Sequence, residues 1–164
     1  MNNFEIITGY IPGIIGRVSE LHAQYYSQKW NFGRYFEAKV ATDLSNFINN
    51  YDQTKDCIWS ISIDGVIEGS ISIDGSSEKP KTAHLRWFIV SDKAKGNGAG
   101  NHLMKQAMTF CSHVSYEKVY LWTFQGLESA KHLYQKFGFE LVEELNGLKW
   151  GTTVNEQRYE VVIQ

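Results

Sequence analysis

A glycine-rich segment, Lys95-Gly96-Asn97-Gly98-Ala99-Gly100, most constrains what this chain can fold into. It follows an apolar run at 84–90 that is typical of a β-strand, and it precedes an amphipathic run at about 99–114 that is typical of a helix. Glycines at such a junction let several backbone N–H groups approach one phosphate, and the helix dipole favours the negative charge. The segment therefore predicts a phosphate-binding loop at a strand-to-helix turn.

Two familiar nucleotide-binding loops do not fit this segment. A Walker loop ends in Gly-Lys-Ser/Thr, whereas Gly100 is followed by Asn101 and His102. A dinucleotide-binding turn needs a glycine where Asn101 stands, and an acidic residue at the end of the next strand, where Phe124 and Gln125 occur. The remaining interpretations are a loop for another phosphate-bearing ligand and a plain flexible turn.

Strands and helices alternate around the loop. Asp64-Gly65 lies between two alternating runs and is a strong hairpin signal. An aromatic-rich stretch at 25–35 is predicted to be a connector between the first two helices. Strands are predicted at 4–7, 57–63, 66–73, 84–90, 119–124, 139–143 and 157–163, and helices at 14–25, 36–48, 99–114 and 129–137. This order predicts a single α/β domain over residues 1–164, with a central mixed β-sheet flanked by about four helices.

Composition excludes several classes of function. A chain of 164 residues with 43% hydrophobic and 21% charged residues has the make-up of one globular domain. Its net charge of −2 is not that of a nucleic-acid binder, and no signal peptide or membrane-spanning run is visible. Cys57 and Cys111 lack the spacing of metal ligands and are expected to be buried thiols. We therefore expect a cytoplasmic protein with no metal, nucleic-acid or membrane partner.

Two motifs resemble those of the GCN5-related N-acetyltransferase (GNAT) family. One resembles the family's acetyl-CoA signature, Gln/Arg-x-x-Gly-x-Gly/Ala, and the other resembles its second motif, on the helix after the next strand. The order of elements also fits, so the resemblance covers nearly the whole chain and implies a GNAT-like fold. The motifs are Lys95-x-x-Gly98-x-Gly100 and Ala130-x-x-x-Tyr134-x-x-x-Gly138-Phe139.

A narrower similarity involves segments 85–90, 119–124 and 150–159. They are similar to bacterial acetyltransferases that are often fused behind a MarR-type DNA-binding domain. The 164 residues contain no such domain, so no DNA-binding role is transferred. Two positions depart from the family pattern. Lys95 replaces Gln or Arg and lacks a planar donor fork, and Leu127 stands where Asn is frequent, which leaves Ser129 as the replacement contact.

The resemblance implies acetyl-CoA as the acetyl donor and assigns its binding site to two segments. Pantetheine is expected to pair with the backbone of the strand before the loop, and the pyrophosphate is expected to bind the loop itself. The implied acetyl-CoA-binding residues are Phe88, Ile89, Val90, Lys95, Gly96, Asn97, Gly98, Ala99, Gly100, Asn101 and Ser129.

Acetyl transfer to an amine has three chemical needs. The amine must lose a proton, the developing oxyanion needs a donor and the departing thiolate needs an acid. Tyr134 matches the family's acid. His84 occupies the strand position where several members carry a catalytic Glu, and the ordinary histidine pKa near 6.5 suits a base. A purely structural His84, with a water chain as the route for the proton, is the alternative.

The acceptor site is less constrained by the sequence. Arg86 shares a strand face with His84, so it is a candidate clamp for an acceptor carboxylate, with a surface ion pair as the alternative. Core packing is an equally open role for the aromatic candidates. The candidate walls are Trp30 and Trp122, with Tyr26 and Phe32 beside Trp30.

The sequence thus predicts an acyltransferase that moves an acetyl group from acetyl-CoA to a primary amine of a small molecule, peptide or protein. The alternative is a non-catalytic sensor of the same fold that binds CoA or acyl-CoA. Transfer of another acyl group stays open, as does the oligomeric state, a homodimer included.

Overall fold

A computed structural model of the chain describes residues 3–164, so the first two residues of the predicted 1–164 domain lie outside the described residues. The elements confirm the predicted α/β class and the four helices. In chain order they are β1 Glu5–Thr8, α1 Ile14–Trp30, α2 Arg34–Asn49, β2 Cys57–Ile63, β3 Val66–Asp74, β4 Thr82–Val90, α3 Ala99–His113, β5 Lys118–Phe124, α4 Glu128–Lys136, β6 Glu140–Gly147 and β7 Val154–Val162.

The strands form one mixed sheet in the order β1-β2-β3-β4-β5-β7-β6. Neighbouring strands are antiparallel except β4 and β5, which are parallel and are joined by the crossover helix α3. The predicted hairpin turn is present, because Asp64 and Gly65 have φ angles of 50° and 78°, as a tight primed turn between β2 and β3 requires.

Helix α1 is longer than the sequence predicted. It continues through Trp30, so the proposed aromatic connector at 25–35 is wrong and shrinks to residues 31–33. Asn31 caps the end of the helix, and its left-handed φ of 58° lets the following Phe32 N–H donate back to the Tyr26 carbonyl at 3.1 Å. Tertiary packing explains the extension, since the Trp30 ring lies 4.8 Å from that of Phe124 on β5.

The sheet separates two apolar cores, one on each face. The core on the α3 side includes Trp59, Ile61, Ile71, Ile73, Leu85, Leu103, Met104, Val119 and Leu121. The core beneath α1 and α2 includes Ile14, Val18, Phe36, Val40, Leu44, Phe47, Ile58 and Ile89. Both faces of the central strands are therefore covered, as expected where parallel strands lie within a sheet.

Strand β4 contains a bulge at Trp87, which has a φ of 48°. Between the Ser70–Ile89 and Ser72–Arg86 pairs, β4 uses one residue more than β3. The buried Ser70 hydroxyl donates to the Trp87 carbonyl at 2.7 Å. This hydrogen bond holds the bulge in place.

The bulge shifts which β4 side chains face α3. Before it, Ala83 and Leu85 belong to the core on the α3 side; after it, Phe88 and Val90 pack against that same core. A strand without a bulge would have kept alternate residues on one face. The bulge thus turns Phe88 toward the helices that follow β4.

The parallel pairing of β4 with β5 is short. It spans Thr82 to His84 on β4 and Lys118 to Tyr120 on β5, and no pairing continues beyond those residues in the described sheet. β5 stays paired with β7 on its other side as far as Phe124. The two parallel strands therefore part after His84, and a cleft opens between their carboxyl ends.

Two fully buried serines on β3, Ser70 and Ser72, allow the hydrogen bond at the bulge to be tested. Ser70→Ala should lower the free energy of unfolding by about 1–2 kcal/mol, because the Trp87 carbonyl loses its donor. Ser72→Ala is the matched control: the Ser72 hydroxyl is buried with no hydrogen-bond partner, so its removal should cost nothing or stabilise slightly. Urea unfolding of both variants measures the difference, and equal losses would contradict the role of Ser70.

Candidate active site

The predicted phosphate loop connects β4 to α3 and presents the start of that helix. Gly98 is the N-cap residue, and the first hydrogen bond within the helix runs from the His102 N–H to the Gly98 carbonyl at 3.0 Å. The N–H groups of residues 98–101 therefore have no partner within α3, and no side chain caps the helix. This is the donor arrangement that a phosphate needs.

Two glycines of the loop are needed for different reasons. Gly98 has a φ of 76°, a conformation that side-chain-bearing residues rarely adopt. Gly100 packs closely, because a Cβ there would lie 3.4 Å from the Phe88 ring and 3.5 Å from Leu133. Lys95, in contrast, is half exposed, and its ammonium forms an ion pair with Asp92 at 3.0 Å.

A cavity of about 490 Å³ lies beside the loop and between the parted strands. Asn97 and Asn101 are not among the described residues that line it, and the Asn101 side-chain carbonyl accepts a hydrogen bond from Lys136 at 2.7 Å. The predicted donor-site residues that do line it are Phe88, Ile89, Val90, Lys95, Gly96, Gly98, Ala99, Gly100 and Ser129.

A second cavity, of about 340 Å³, lies on the α1 and α2 side of the sheet. Its walls combine aromatic rings with a few charged side chains. It is lined by His22, Tyr26, Phe36, Lys39, Val40, Asp43, His84, Leu85, Arg86, Trp87, Phe88, Tyr120, Leu121, Trp122, Thr123, Phe124, Leu127, Tyr134, Lys149 and Trp150.

The two cavities meet at Tyr134. This residue lines both of them, together with Tyr26, Phe88 and Leu127. The residue is 6% exposed, and its ring lies 6.2 Å from that of Phe88 and 6.0 Å from that of Tyr159. Burial raises the pKa of Tyr134, so its phenol keeps its proton throughout the physiological range.

His84 lies on the wall of the second cavity, where its ring stacks on Tyr120 at a centroid distance of 4.4 Å. Burial, followed by the positive charge of Arg86, lowers the pKa of His84 to about 3. The ring is therefore neutral near pH 7. It is also a much weaker proton acceptor than the ordinary histidine pKa implied.

Arg86 lines the second cavity, but its guanidinium is already bound by the protein. It forms ion pairs with Asp74 at 3.1 Å and Asp43 at 3.4 Å, and it stacks over Trp87 at 4.1 Å. The structure thus corresponds to the ion-pair alternative for Arg86, since both carboxylates come from this chain, on α2 and β3. Sequence spacing could not reveal these partners because they are distant along the chain.

The aromatic candidates for the acceptor walls separate into two groups. Trp122 and Tyr26 line the second cavity. Trp30 and Phe32 are outside both cavities: Trp30 packs against Phe124 and lies over Gly126, and the buried Phe32 packs against Phe124 at 5.4 Å. Both rings support the wall from behind, because α1 extends further than the sequence predicted.

Sequence reasoning missed two cavity residues on the connection between β6 and β7. The Lys149 ammonium lies 3.5 Å from the centroid of the Trp122 ring, and Trp150 lines the cavity beside it. Burial lowers the pKa of Lys149. Lys149 lies outside every motif, and the similarity of segment 150–159 gave no role to Trp150, because tertiary packing is what brings the β6–β7 connection to the end of β5.

The described part of the chain contains neither a metal-binding cluster nor a membrane-spanning helix. Within residues 3–164, no group of three or more His, Cys, Asp or Glu side chains could hold a metal ion. Among the helices of the same range, none is long and apolar enough to cross a membrane.

Comparison with known proteins identifies this architecture. The model of the acetyltransferase (GNAT) family matches residues 16–139. A GNAT acetyltransferase from Staphylococcus aureus is similar with a TM-score of 0.79 and 19% identity, over 98% of this chain and 99% of that chain. An acetyltransferase from Streptococcus agalactiae has a TM-score of 0.73 and 18% identity, over 99% and 100% of the two chains.

A third solved structure contains a ligand. YncA from Salmonella typhimurium, solved with its cofactor acetyl-CoA, has a TM-score of 0.75 and 11% identity, over 98% of this chain and 95% of that chain. No curated protein sequence matches the chain. At these identities the solved structures show a shared fold.

The buried His22 and the half-buried His84 predict how stability depends on pH. Burial lowers the pKa of His22 to about 4 and that of His84 to about 3, whereas an unfolded chain has histidines near 6.5. Between pH 6.5 and about 4 the unfolded chain binds protons that the native chain does not. The free energy of unfolding should therefore decrease as the pH is lowered through this window, by up to about 1.4 kcal/mol per pH unit for each histidine.

His84→Gln should make this pH dependence shallower by the contribution of one histidine. The surface substitution His113→Gln, at the end of α3, is the control. Urea unfolding at half-unit pH steps measures the slope, and an unchanged slope in His84→Gln would refute the burial-induced shift.

Proposed function

The chain belongs to the acetyltransferase (GNAT) family, and from this membership we propose that it transfers the acetyl group of acetyl-CoA to a primary amine by direct attack on the thioester. One observation carries the proposal: two cavities, one beside a phosphate-binding loop and one with polar and aromatic walls, meet at the buried Tyr134. A reaction between two ligands that enter from opposite sides needs this arrangement.

The first cavity suits both the pyrophosphate and the pantetheine part of acetyl-CoA. The free N–H groups of residues 98–101 suit the pyrophosphate of CoA. The β4 edge at 88–90 faces the cleft without a β5 partner, so its backbone can pair with the amide groups of pantetheine. Ser129 lines the same cavity, at the start of α4. When bound, acetyl-CoA supplies the activated acetyl group.

Tyr134 supplies the proton that the leaving group needs. The amine lone pair forms a bond to the acetyl carbonyl carbon, and the bond between that carbon and sulfur breaks. The phenol of Tyr134 donates its proton to the departing sulfur, because its raised pKa has kept it protonated. The proton lost by the amine leaves through His84 or through water in the second cavity, and the Tyr134 phenolate takes up a proton from water to complete the cycle.

Tyr134→Phe tests the acid. The variant should lower kcat by roughly 10²-fold, the lower part of the range for general acids, with acetyl-CoA binding retained. Tyr159→Phe is a matched control, since Tyr159 is a buried neighbour whose hydroxyl has no hydrogen-bond partner and does not line either cavity. Thiol release from acetyl-CoA with a panel of amines measures turnover.

If Tyr134→Phe turned over at the wild-type rate, Tyr134 would not be the general acid. Binding of acetyl-CoA by the wild-type protein without thiol release for any amine would instead favour a sensor of the same fold.

The loop glycines should matter more to CoA binding than the lysine beside them. Gly98→Val forces a branched side chain to a φ of 76° and should weaken binding by roughly 10-fold or more. Lys95→Ala removes a half-exposed ion pair and should weaken binding only a few-fold. Gly16→Val, at an exposed α1 position with free space, is the control. Equal or reversed losses in a calorimetric titration with CoA would contradict this order.

A further inference from the structure

The second cavity contains a cation that the proposed chemistry does not use. Lys149 reaches it from the β6–β7 connection, with its ammonium 3.5 Å from the Trp122 ring and 5.6 Å from the Trp150 ring. Such contacts hold a charged group in position while one side stays open. Its side chain is about one third exposed and belongs to the lining of the cavity.

A buried carboxylate fixes the position of Lys149 from behind. Glu156, on β7, is 2% exposed; its carboxylate accepts the Lys149 backbone N–H at 3.1 Å and lies 3.7 Å from the ammonium. Gly147 packs against this carboxylate so closely that a Cβ there would collide with it. Glu156 is not one of the described residues that line the cavity. Glu156 thus holds Lys149 from outside the cavity, and Lys149 itself lines the cavity.

The charges that line this cavity are unequal. Lys39, Arg86 and Lys149 line it, whereas Asp43 is the only carboxylate among its described lining residues. Asp43 is already shared, at 3.1 Å from Lys39 and 3.4 Å from Arg86, and Arg86 has Asp74 as a further partner. Lys149 is therefore the lining cation that forms no ion pair with a carboxylate of the described lining, because its partner Glu156 lies outside the cavity.

These charges select against one class of amine and favour another. A polyamine would place its second ammonium among three cations, with the one lining carboxylate already occupied. An acceptor that carries its own carboxylate would instead give Lys149 a second carboxylate partner, on the cavity side, in addition to Glu156. The remaining wall is mostly aromatic and suits an apolar body. Its aromatic residues include Tyr26, Phe36, Trp122, Phe124 and Trp150.

We infer that the acceptor is a small amine of the amino-acid class, and that Lys149 binds its carboxylate while the amine faces Tyr134. The inference rests on the proposed function and names its second substrate. Glu156 acts through Lys149 as a positioning residue.

Free L-amino acids compared with their carboxamides test the substrate class. The carboxamide keeps the shape and removes the charge, and its amine has a pKa of about 8, below that of an amine beside a carboxylate. Intrinsic reactivity at neutral pH therefore favours the carboxamide. A higher kcat/KM for the free acid should nonetheless be found, and equal values or a preference for the carboxamide would overturn the inference.

Variants of Lys149 test the residue assignment. Lys149→Gln should lower the acid-to-carboxamide ratio of kcat/KM by about 10- to 100-fold, and Lys149→Arg should restore much of it. Lys149→Gln combined with Glu156→Gln removes the buried carboxylate that the single change leaves unpaired, so it separates loss of folding from loss of recognition. Lys79→Gln, at an exposed lysine, should keep the wild-type ratio. An unchanged ratio in Lys149→Gln would overturn the role of Lys149.

Ligand-induced thermal stabilisation distinguishes failure of this inference from failure of the proposed function. In the presence of CoA, free amino acids should raise the Tm of the wild-type protein more than their carboxamides do, and Lys149→Gln should remove the difference. This result without thiol release would support carboxylate recognition while contradicting acetyl transfer. Thiol release with simple amines but equal Tm shifts would uphold acetyl transfer and overturn carboxylate recognition.

Discussion

The separation of β4 from β5 is the constraint on which the remaining site geometry depends. Parallel strands in a sheet normally use both edges for hydrogen bonds, yet β4 has β5 as a partner only from Thr82 to His84. Beyond that point its backbone groups face a cleft. The bulge at Trp87 lies inside the unpaired part and turns Phe88 toward α3 and α4. The bulge thus places the Phe88 ring, which lines both cavities, on the part of β4 whose edge is free.

An aromatic cluster around Phe124 attaches the outer segments to this cleft. The rings of Tyr26, Trp30 and Trp150 lie 4.8–5.8 Å from that of Phe124, at the end of β5. They come from α1 and from the β6–β7 connection, which are far apart in the sequence. Large rings at these distances favour specific orientations as well as burial. The cluster therefore couples the walls of the second cavity, and through Trp150 the neighbouring Lys149, to the strand that forms one side of the cleft.

The sequence allowed the parts of the site that lie within one continuous segment to be predicted. The loop at 95–100 and Tyr134 belong to motifs whose spacing is set by one turn or one helix, so their positions follow from local geometry. Arg86 shows where this reasoning ends: its strand face was predicted, but its carboxylate partners come from α2 and β3. The bulge at Trp87 could not be predicted either, because a tryptophan side chain has no preference for a positive φ. Lys149 enters the cavity only through tertiary packing.

Under the proposed function, the electrostatics of the second cavity bear on how an acceptor amine would lose its proton. After burial, the causes that lower the pKa of His84 include the positive charges of Arg86, Lys149 and Arg158, with Asp74 acting in the opposite direction. The same charges act on an ammonium group that enters the cavity, and they disfavour its protonated form. In the proposed reaction, the charges that weaken His84 as a proton acceptor would also favour the neutral form of a bound amine. This favours water in the second cavity over His84 as the route for the proton that the amine loses.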